Sequence, residues 1–289
     1  MTPFQEAVLD WSEAGDGWRD LPWRGTRDPW AILVSEVMLQ QTQVTRVAPR
    51  WYAFLDRFPD PATCAQAPVA EVIGLWVGLG YNRRAVQLHR AAVAVAARPD
   101  AALPSSLPEL LALPGVGRYT ARAVLAFAFE QPVAVVDTNV ARVVARAVAG
   151  RRLAPAEAQA AADGLVPADR AWAWNQAVLD LGARHCSSRP SCAGCPLRAA
   201  HCAWAGAGFP APDPASGSAG VSGRQSPFAG SDRQGRGRLV RALRSGPLDP
   251  DRWADAAGWP RDPARAARVA SSLVADGLAV RQGEQLRLP

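Results

Sequence analysis

Along most of the chain apolar residues return every three or four positions, the period of an amphipathic helix. From Arg118 onward Ala121, Val124, Leu125 and Ala128 keep that spacing and predict one helix. Upstream, "SSLPELLAL" predicts another, opening at Ser105 or Ser106 with Pro108 in its first turn. Between them "LPGVG" sets two glycines around Val116, so the stretch reads as helix, glycine turn, helix. Residues 1–205 read as a run of such helices, with Val133–Val136 the best strand candidate. One segment breaks the amphipathic rule. "WAILVSEVMLQQTQV" is apolar all round, as a buried helix is, and Glu36 is its only charge. Carried through at helical spacing, Glu36, Gln40 and Gln43 fall on one polar stripe.

The helical pattern stops over residues 208–229, which are rich in Gly, Pro, Ser and Ala and almost uncharged, the composition of a linker. It resumes in residues 230–289. There "RGRLVRALR" and "DPARAARVASSLVADG" predict two helices, the second ending at Gly277, and "LAVRQGEQLRLP" alternates around Gln-Gly-Glu like a hairpin. The expected organisation is all-α: a helical domain over 1–207, a linker over 208–229, and a small winged-helix-like module over 230–289.

Charge adds a partner class to this picture. The 289 residues carry a formal charge of +6, which favours a polyanion. Residues 230–289 hold 11 arginines against 7 acids, so most of the excess lies there. Every one of the 32 basic residues is arginine, so no side-chain amine is available to form a Schiff base. The N-terminal stretch is acidic, and no uncharged apolar run reaches the length of a membrane span. A cytoplasmic protein without membrane association is expected. Cys186, Cys192, Cys195 and Cys202 crowd together with 5, 2 and 6 residues between them, which points to metal rather than disulfides. Zinc and a [4Fe–4S] cluster both use four thiolates. One close pair with two single ligands suits the cluster better. Arg184, Arg189 and Arg198 lie on the same loop, and Cys64, far from it, reads as an ordinary small residue.

Two carboxylates carry candidate chemistry. Glu36 in its apolar helix is either a structural acid bonded to a helix end or a proton donor, because burial favours the neutral acid. Asp137 follows an apolar run and opens "DTNVARVV", so it is either a helix N-cap or a charged partner for a cation. One protonated acid and one ionised acid are what cleavage of a glycosidic bond requires. The turn at Gly115 and Gly117 likewise has two readings. It is a plain helix stop, or a place where backbone N–H groups meet a phosphate.

Taken together, "LPWR" (21–24), "SEVMLQQTQV" (35–44), "GLGYNRRAVQLHRAA" (78–92), "LPGVGRYTA" (113–121), "VDTNVARV" (136–143), "WNQAVLDLGA" (174–183) and the cysteine loop resemble the MutY-type adenine DNA glycosylases. These belong to the helix-hairpin-helix, endonuclease III-like superfamily, and the segments stand in the family's order over roughly residues 1–205. The resemblance implies a helix-hairpin-helix glycosylase fold with a [4Fe–4S] cluster on Cys186, Cys192, Cys195 and Cys202, acting as a monomer on double-stranded DNA. It implies that Glu36 protonates N7 of a flipped adenine, that Asp137 stabilises the sugar cation or bonds to it, that Tyr119 lines the reaction centre, and that Asn139 holds the nucleotide. Trp23, Arg24, Leu39, Gln176 and Leu179 would shape the adenine pocket. Gln41 and Tyr81 would enter the duplex around the opposite base, and Gly115, Val116 and Gly117 would hold a phosphate.

The lyase relatives carry lysine where Tyr119 stands, so a hydrolytic, monofunctional enzyme is expected. The substrate would be adenine mispaired with 8-oxoguanine or guanine. The alternatives are a thymine or uracil mismatch glycosylase and a non-catalytic iron–sulfur DNA-binding or redox-sensing protein. Three departures accompany the resemblance. The cysteine spacing is five, two and six rather than six, two and five. The tyrosine pair after "GLG" is Tyr81–Asn82. No MutT-like domain or Phe-Ser-His loop occurs in residues 230–289. That tail is expected to add affinity through Arg238, Arg241, Arg244, Arg265 and Arg268, leaving lesion preference to Gln41 and Tyr81.

Overall fold

The structure, a computed structural model, describes residues 1–15, 18–218 and 227–289. Among these the helices are α1 (Pro3–Glu13), α2 (Pro29–Leu39), α3 (Val44–Arg57), α4 (Pro61–Gln66), α5 (Val69–Trp76), α6 (Arg83–Ala96), α7 (Leu107–Ala112), α8 (Arg118–Phe127), α9 (Thr138–Val143), α10 (Pro155–Asp163), α11 (Ala171–Arg184), α12 (Ala203–Gly206), α13 (Asp232–Leu243), α14 (Trp253–Ala257) and α15 (Pro263–Ala275). The antiparallel hairpin β1 (Val280–Gln282) and β2 (Gln285–Arg287) follows them. Two compact units form, each from segments far apart in the chain. One joins Met1–Pro29 to Gly117–Arg224, and the other joins Trp30–Val116 to Gln225–Pro289.

The unit containing Trp30–Val116 is organised around α2. Every side chain from Trp30 to Met38 is buried, so the helix has no wet face. Aromatic rings surround it: Phe54 meets Trp30, Phe58 and Trp76 at centroid distances of 6.4, 5.1 and 6.3 Å. The indoles of Trp30 and Trp51 donate to the carbonyls of Phe58 and Ala31, each at 2.9 Å, whereas the buried Trp76 Nε1 has no hydrogen-bond partner among the described residues. In the same unit the tail builds its own small core from Leu239, Val240, Leu243, Trp253, Val269, Leu273 and Leu286. Both of its predicted helices and its hairpin form, with Gln282 paired to Gln285 across the turn. The short helix α14 and an isolated bridge from Leu248 to Leu286 are additions that the pattern did not signal.

In the other unit α11 is the central element, with Trp174, Ala177, Val178 and Leu181 buried against α1, α8 and α9. Helix starts follow their caps. Thr2 and Gln5 form a reciprocal capping box on α1, and Asp137 caps α9 through the N–H groups of Asn139 and Val140 at 2.8 Å each. α9 continues into a wider π-type segment, Val144–Ala149.

Three expectations change. The helix through Glu36 ends at Leu39, and α3 begins only at Val44, so Glu36, Gln40 and Gln43 do not share one helical stripe. Gln41 turns the chain with a left-handed φ of 54°, and the Thr42 N–H closes on the Leu39 carbonyl at 3.1 Å. Residues Val133–Val136 form no strand. Their backbone bonds go instead to side chains: the Asn175 amide accepts from the Val135 N–H at 2.8 Å and donates to the Val133 carbonyl at 3.0 Å, and the Ala134 N–H donates to Asp163 at 3.0 Å. The stretch 208–229 is not wholly a linker. Asp213 is ion-paired to Arg146, Pro214, Ala215 and Ser218 are buried, and Ser218 accepts from the Leu153 N–H, while residues 219–226 lie outside the described part. A composition of Gly, Pro, Ser and Ala cannot reveal that one aspartate in it answers a buried arginine.

Candidate active site

Of the two candidate carboxylates, Glu36 belongs to the Trp30–Val116 unit and Asp137 to the other. Glu36 is 5 % exposed, with Ile32, Leu33, Val37 and Met38 buried around it. Its acid therefore sits in the apolar setting that the sequence implied.

Asp137 is the helix N-cap that one of its two readings gave. Its Oδ1 caps α9, while Oδ2 accepts from Asn139 Nδ2 at 2.6 Å. Burial pushes its carboxyl above the ordinary carboxylate range, and the bonds from Val140 and Asn139 and the charge of Arg142 act against that rise. A carboxylate so desolvated gains much from a cation arriving beside it. Asn139 is in turn fixed by Arg142, whose Nη2 donates to its Oδ1 at 2.6 Å. Arg142 also donates to the carbonyls of Cys186 and Gly182, at 2.6 and 3.2 Å. The close approach of α11 to α9 depends on Gly182, where a Cβ would lie 2.7 Å from the Asn139 carbonyl oxygen. Tyr119 lies in the first turn of α8, behind Gly117, and that helix has no side-chain cap.

Trp23 and Arg24 are buried, but Arg24 is engaged within the protein. Its guanidinium makes a two-pronged pair with Asp180, at 2.8 Å on each oxygen, and lies 4.6 Å over the Trp18 ring. Arg19 reaches the same carboxylate. Gln176 and Leu179 are buried on α11, in the turn before Asp180.

In the unit of α2, Gln41, Tyr81, Gly115 and Val116 line one cavity of about 1000 Å³. Leu33, Val37 and Gln40 line it too, whereas Glu36 and Leu39 do not. Tyr81, like Gln41, holds a left-handed backbone, with φ 46°. What fixes both turns is Arg84. It donates to the carbonyls of Val37, Met38 and Gln40 at 2.7–2.8 Å, to Gly80 at 2.8 Å and to the Thr42 hydroxyl at 3.1 Å. A cation thus caps the C-terminal carbonyls of α2 while tying the Gln41 turn to the Tyr81 turn. Burial pushes the Arg84 guanidinium down to about 10, so it still carries its charge at neutral pH. Nothing in the sequence marks Arg84 for this role. An arginine in the first turn of a helix carries no mark of partners some forty residues away. Asn175 and Asp180 were missed for another reason, since each is a polar residue in an apolar helix, the same signal that marked Glu36.

The four loop cysteines are all reduced and all line one small cavity, which Arg146 also lines. Among the described residues no group of three or more His, Cys, Asp or Glu side chains is arranged to hold a metal ion. Four thiols lining one cavity are the donor set that zinc and iron–sulfur clusters both use. Arg146 is 2 % exposed and donates to the Cys186 sulfur at 3.4 Å and to Asp213 at 2.8 Å. Burial opposes its charge, and Asp213 and Cys186 more than restore it. Cys64 is fully buried, and burial pushes its thiol up to about 12, so it is inert as read.

A helical fold with a glycine turn between α7 and α8, a buried Glu36 in one unit and a half-buried Asp137 capping α9 in the other, matches the architecture of a base-excision DNA glycosylase. Residues 34–167 match the HhH-GPD superfamily of base excision DNA repair proteins. An adenine DNA glycosylase of Mycolicibacterium smegmatis is 46 % identical over 265 residues, 90 % of this chain and 87 % of that protein. One from Mycobacterium tuberculosis is 44 % identical over 270 residues, 91 % of this chain and 86 % of the other. Among solved structures, a thermostable thymine-DNA glycosylase superposes with a TM-score of 0.64 at 28 % identity, covering 71 % of this chain and 95 % of that one. The chain belongs to the adenine DNA glycosylase family and is a DNA N-glycosylase. The mycobacterial matches cover enough of this chain to extend into residues 230–289.

Proposed function

We propose that this enzyme hydrolyses the N-glycosidic bond of adenine mispaired with 8-oxoguanine or guanine. The observation that carries the proposal is the pair of environments around its two acids. Glu36 lies in an apolar helix, and Asp137 is a half-buried carboxyl, desolvated by its surroundings and bonded to Asn139. The base must leave the stack for its bond to be reached. Glu36 donates its proton to N7 of the extruded adenine, which weakens the bond from C1′ to N9. As adenine departs with that bonding pair, the sugar becomes an oxocarbenium ion and Asp137 stabilises it. Water then adds at C1′ and loses a proton, leaving an abasic site. Tyr119 offers no amine in place of water, and a chain without lysine has no side-chain route to a Schiff base. Trp23, Gln176 and Leu179 shape the adenine pocket, while Gly115, Val116 and Gly117 take a phosphate at the start of α8.

A [4Fe–4S] cluster on Cys186, Cys192, Cys195 and Cys202 would hold their loop, with Arg184, Arg189 and Arg198 exposed for phosphates. The tail acts as a winged-helix-like module. Arg241, Arg244 and Arg268 are its exposed phosphate ligands, whereas Arg265 is paired with Asp232 and Arg238 packs on the end of α14. No helix among the described residues is long and apolar enough to cross a membrane. The proposed setting is a monomer on cytoplasmic DNA.

The deciding experiment incubates labelled duplexes carrying each mispair with the enzyme, then cleaves abasic sites with alkali. Strand scission at adenine is expected, and Glu36→Gln is expected to keep DNA binding while losing excision by at least about 100-fold. Excision of thymine or uracil instead would favour the function of the thymine-DNA glycosylase that shares the fold. Near-normal excision by Glu36→Gln would remove the proton-donor role.

A further inference from the structure

In the unit of α2, the first turn of α13 lies against the Tyr81 turn. Arg233 Nη1 donates to the Tyr81 hydroxyl at 3.0 Å, and both residues line the cavity that holds Gln41 and Gly115. The module is anchored at that place. Asp276, just past α15, pairs with Arg83 of α6 at 3.6 Å and also with Arg236 of α13. Tyr81 is therefore held at two ends. Its carbonyl accepts from Arg84 Nε at 3.3 Å, which fixes a strained backbone, and its phenol accepts from the tail. The residue remains 40 % exposed.

This arrangement has a chemical consequence. A phenol oxygen that accepts from a guanidinium is polarised, and it gives its own proton more strongly to the next acceptor. Guanine and 8-oxoguanine differ in that respect, since oxidation replaces the C8–H with a carbonyl oxygen and puts an N–H at N7. We infer that Arg233 is a positioning residue for the base opposite the adenine. Acting through the Tyr81 hydroxyl, it biases the enzyme toward a purine with an acceptor at C8. The tail then does more than add affinity. It completes the element that reads the opposite base. The inference rests on the proposed adenine excision and extends it to the choice of opposite base.

The test measures single-turnover excision of adenine opposite 8-oxoguanine and opposite guanine, and takes the ratio. It is run on full-length wild type, Arg233→Ala, Tyr81→Phe and the double variant, with melting temperatures recorded for each. Tyr81→Phe keeps the ring and removes only the hydroxyl. Each single change is expected to lower the ratio by about fivefold to tenfold, the size of one hydrogen bond, and the double variant is expected to fall no further. An equal loss on both duplexes with an unchanged ratio would make Arg233 a phosphate contact and overturn the inference. Multiplying effects in the double variant would overturn it too, because the two groups would then act separately. Failure of wild type to release adenine from either duplex would instead bring down the proposed function itself. Full excision with an unchanged ratio in the variants brings down this inference alone.

Discussion

Asn139 is bonded on both sides, to the Asp137 carboxylate by its amide N–H and to Arg142 by its oxygen. The first bond favours the charged form of Asp137, while burial favours the neutral form. Asn139→Ala removes the favourable bond and leaves burial in place, so the carboxyl takes up a proton at a higher pH than in wild type. If catalysis requires the carboxylate, the acid side of the rate profile moves toward neutrality in this variant. Single-turnover excision measured across pH checks this. An acid limb that stays where it was would mean that Asp137 does not set it. At this scale the sequence was readable where a residue contradicts its surroundings, as Glu36 does. It was silent where a role depends on a distant partner. Nothing in "VDTNVARVV" announces that Arg142 will reach the carbonyl of Cys186.

Among elements, α2 and the α7–α8 turn show how far local pattern carries. The apolar run was enough to bury α2, and the glycines and Pro108 were enough to place α7 and α8 within a residue or two. The end of α2 was not legible, because residues 40–43 are acceptable helix formers. The stop comes from Arg84, which takes the freed carbonyls. Arg84→Ala leaves those oxygens buried without that donor and should cost about 2–4 kcal/mol, read from denaturant unfolding. Arg84→Lys, a single point donor in place of a fork, should recover only part of this. A loss under about 0.5 kcal/mol in Arg84→Ala would show that the turns hold themselves. Gly115 is constrained twice over, by a φ of 77° and by Gln87, whose Cβ would lie 2.6 Å from an added one. Gly115→Ala should therefore lower stability by about 1–3 kcal/mol and, if the turn holds a phosphate as proposed, weaken binding to every duplex alike, because phosphate contacts carry no sequence information. Calorimetry and titration with matched and mismatched DNA separate the two effects.

For the whole molecule, chain order and spatial order part company. Hydrophobic patterning finds elements but cannot say which distant ones join, so the division at residues 207 and 230 differs from the observed units. Residues 208–218 make the point. A chain ending after residue 207 loses Asp213 and strands Arg146 as a buried cation, while one ending after residue 218 keeps the pair. Both lack the tail, so a comparison between them isolates that segment. The longer form should unfold later, by about 3–5 kcal/mol, and retain bound iron better on gel filtration. Equal melting curves would show that Arg146 finds other partners.

The unit that contains Gln41 and Tyr81 also carries a consequence in time. Its two parts, Trp30–Val116 and Gln225–Pro289, are separated by more than a hundred residues of intervening chain. At ordinary rates of protein synthesis that gap lasts roughly 5–20 s. For that interval the ribosome has delivered Gln41 and Tyr81, the residues proposed to meet the opposite base, but not the helix whose Arg233 bonds the Tyr81 hydroxyl. On that proposal, a nascent chain that has passed Asp137 but not reached α13 holds both acids without the arginine that biases the choice of opposite base. The order of translation then withholds that bias until the tail has been made.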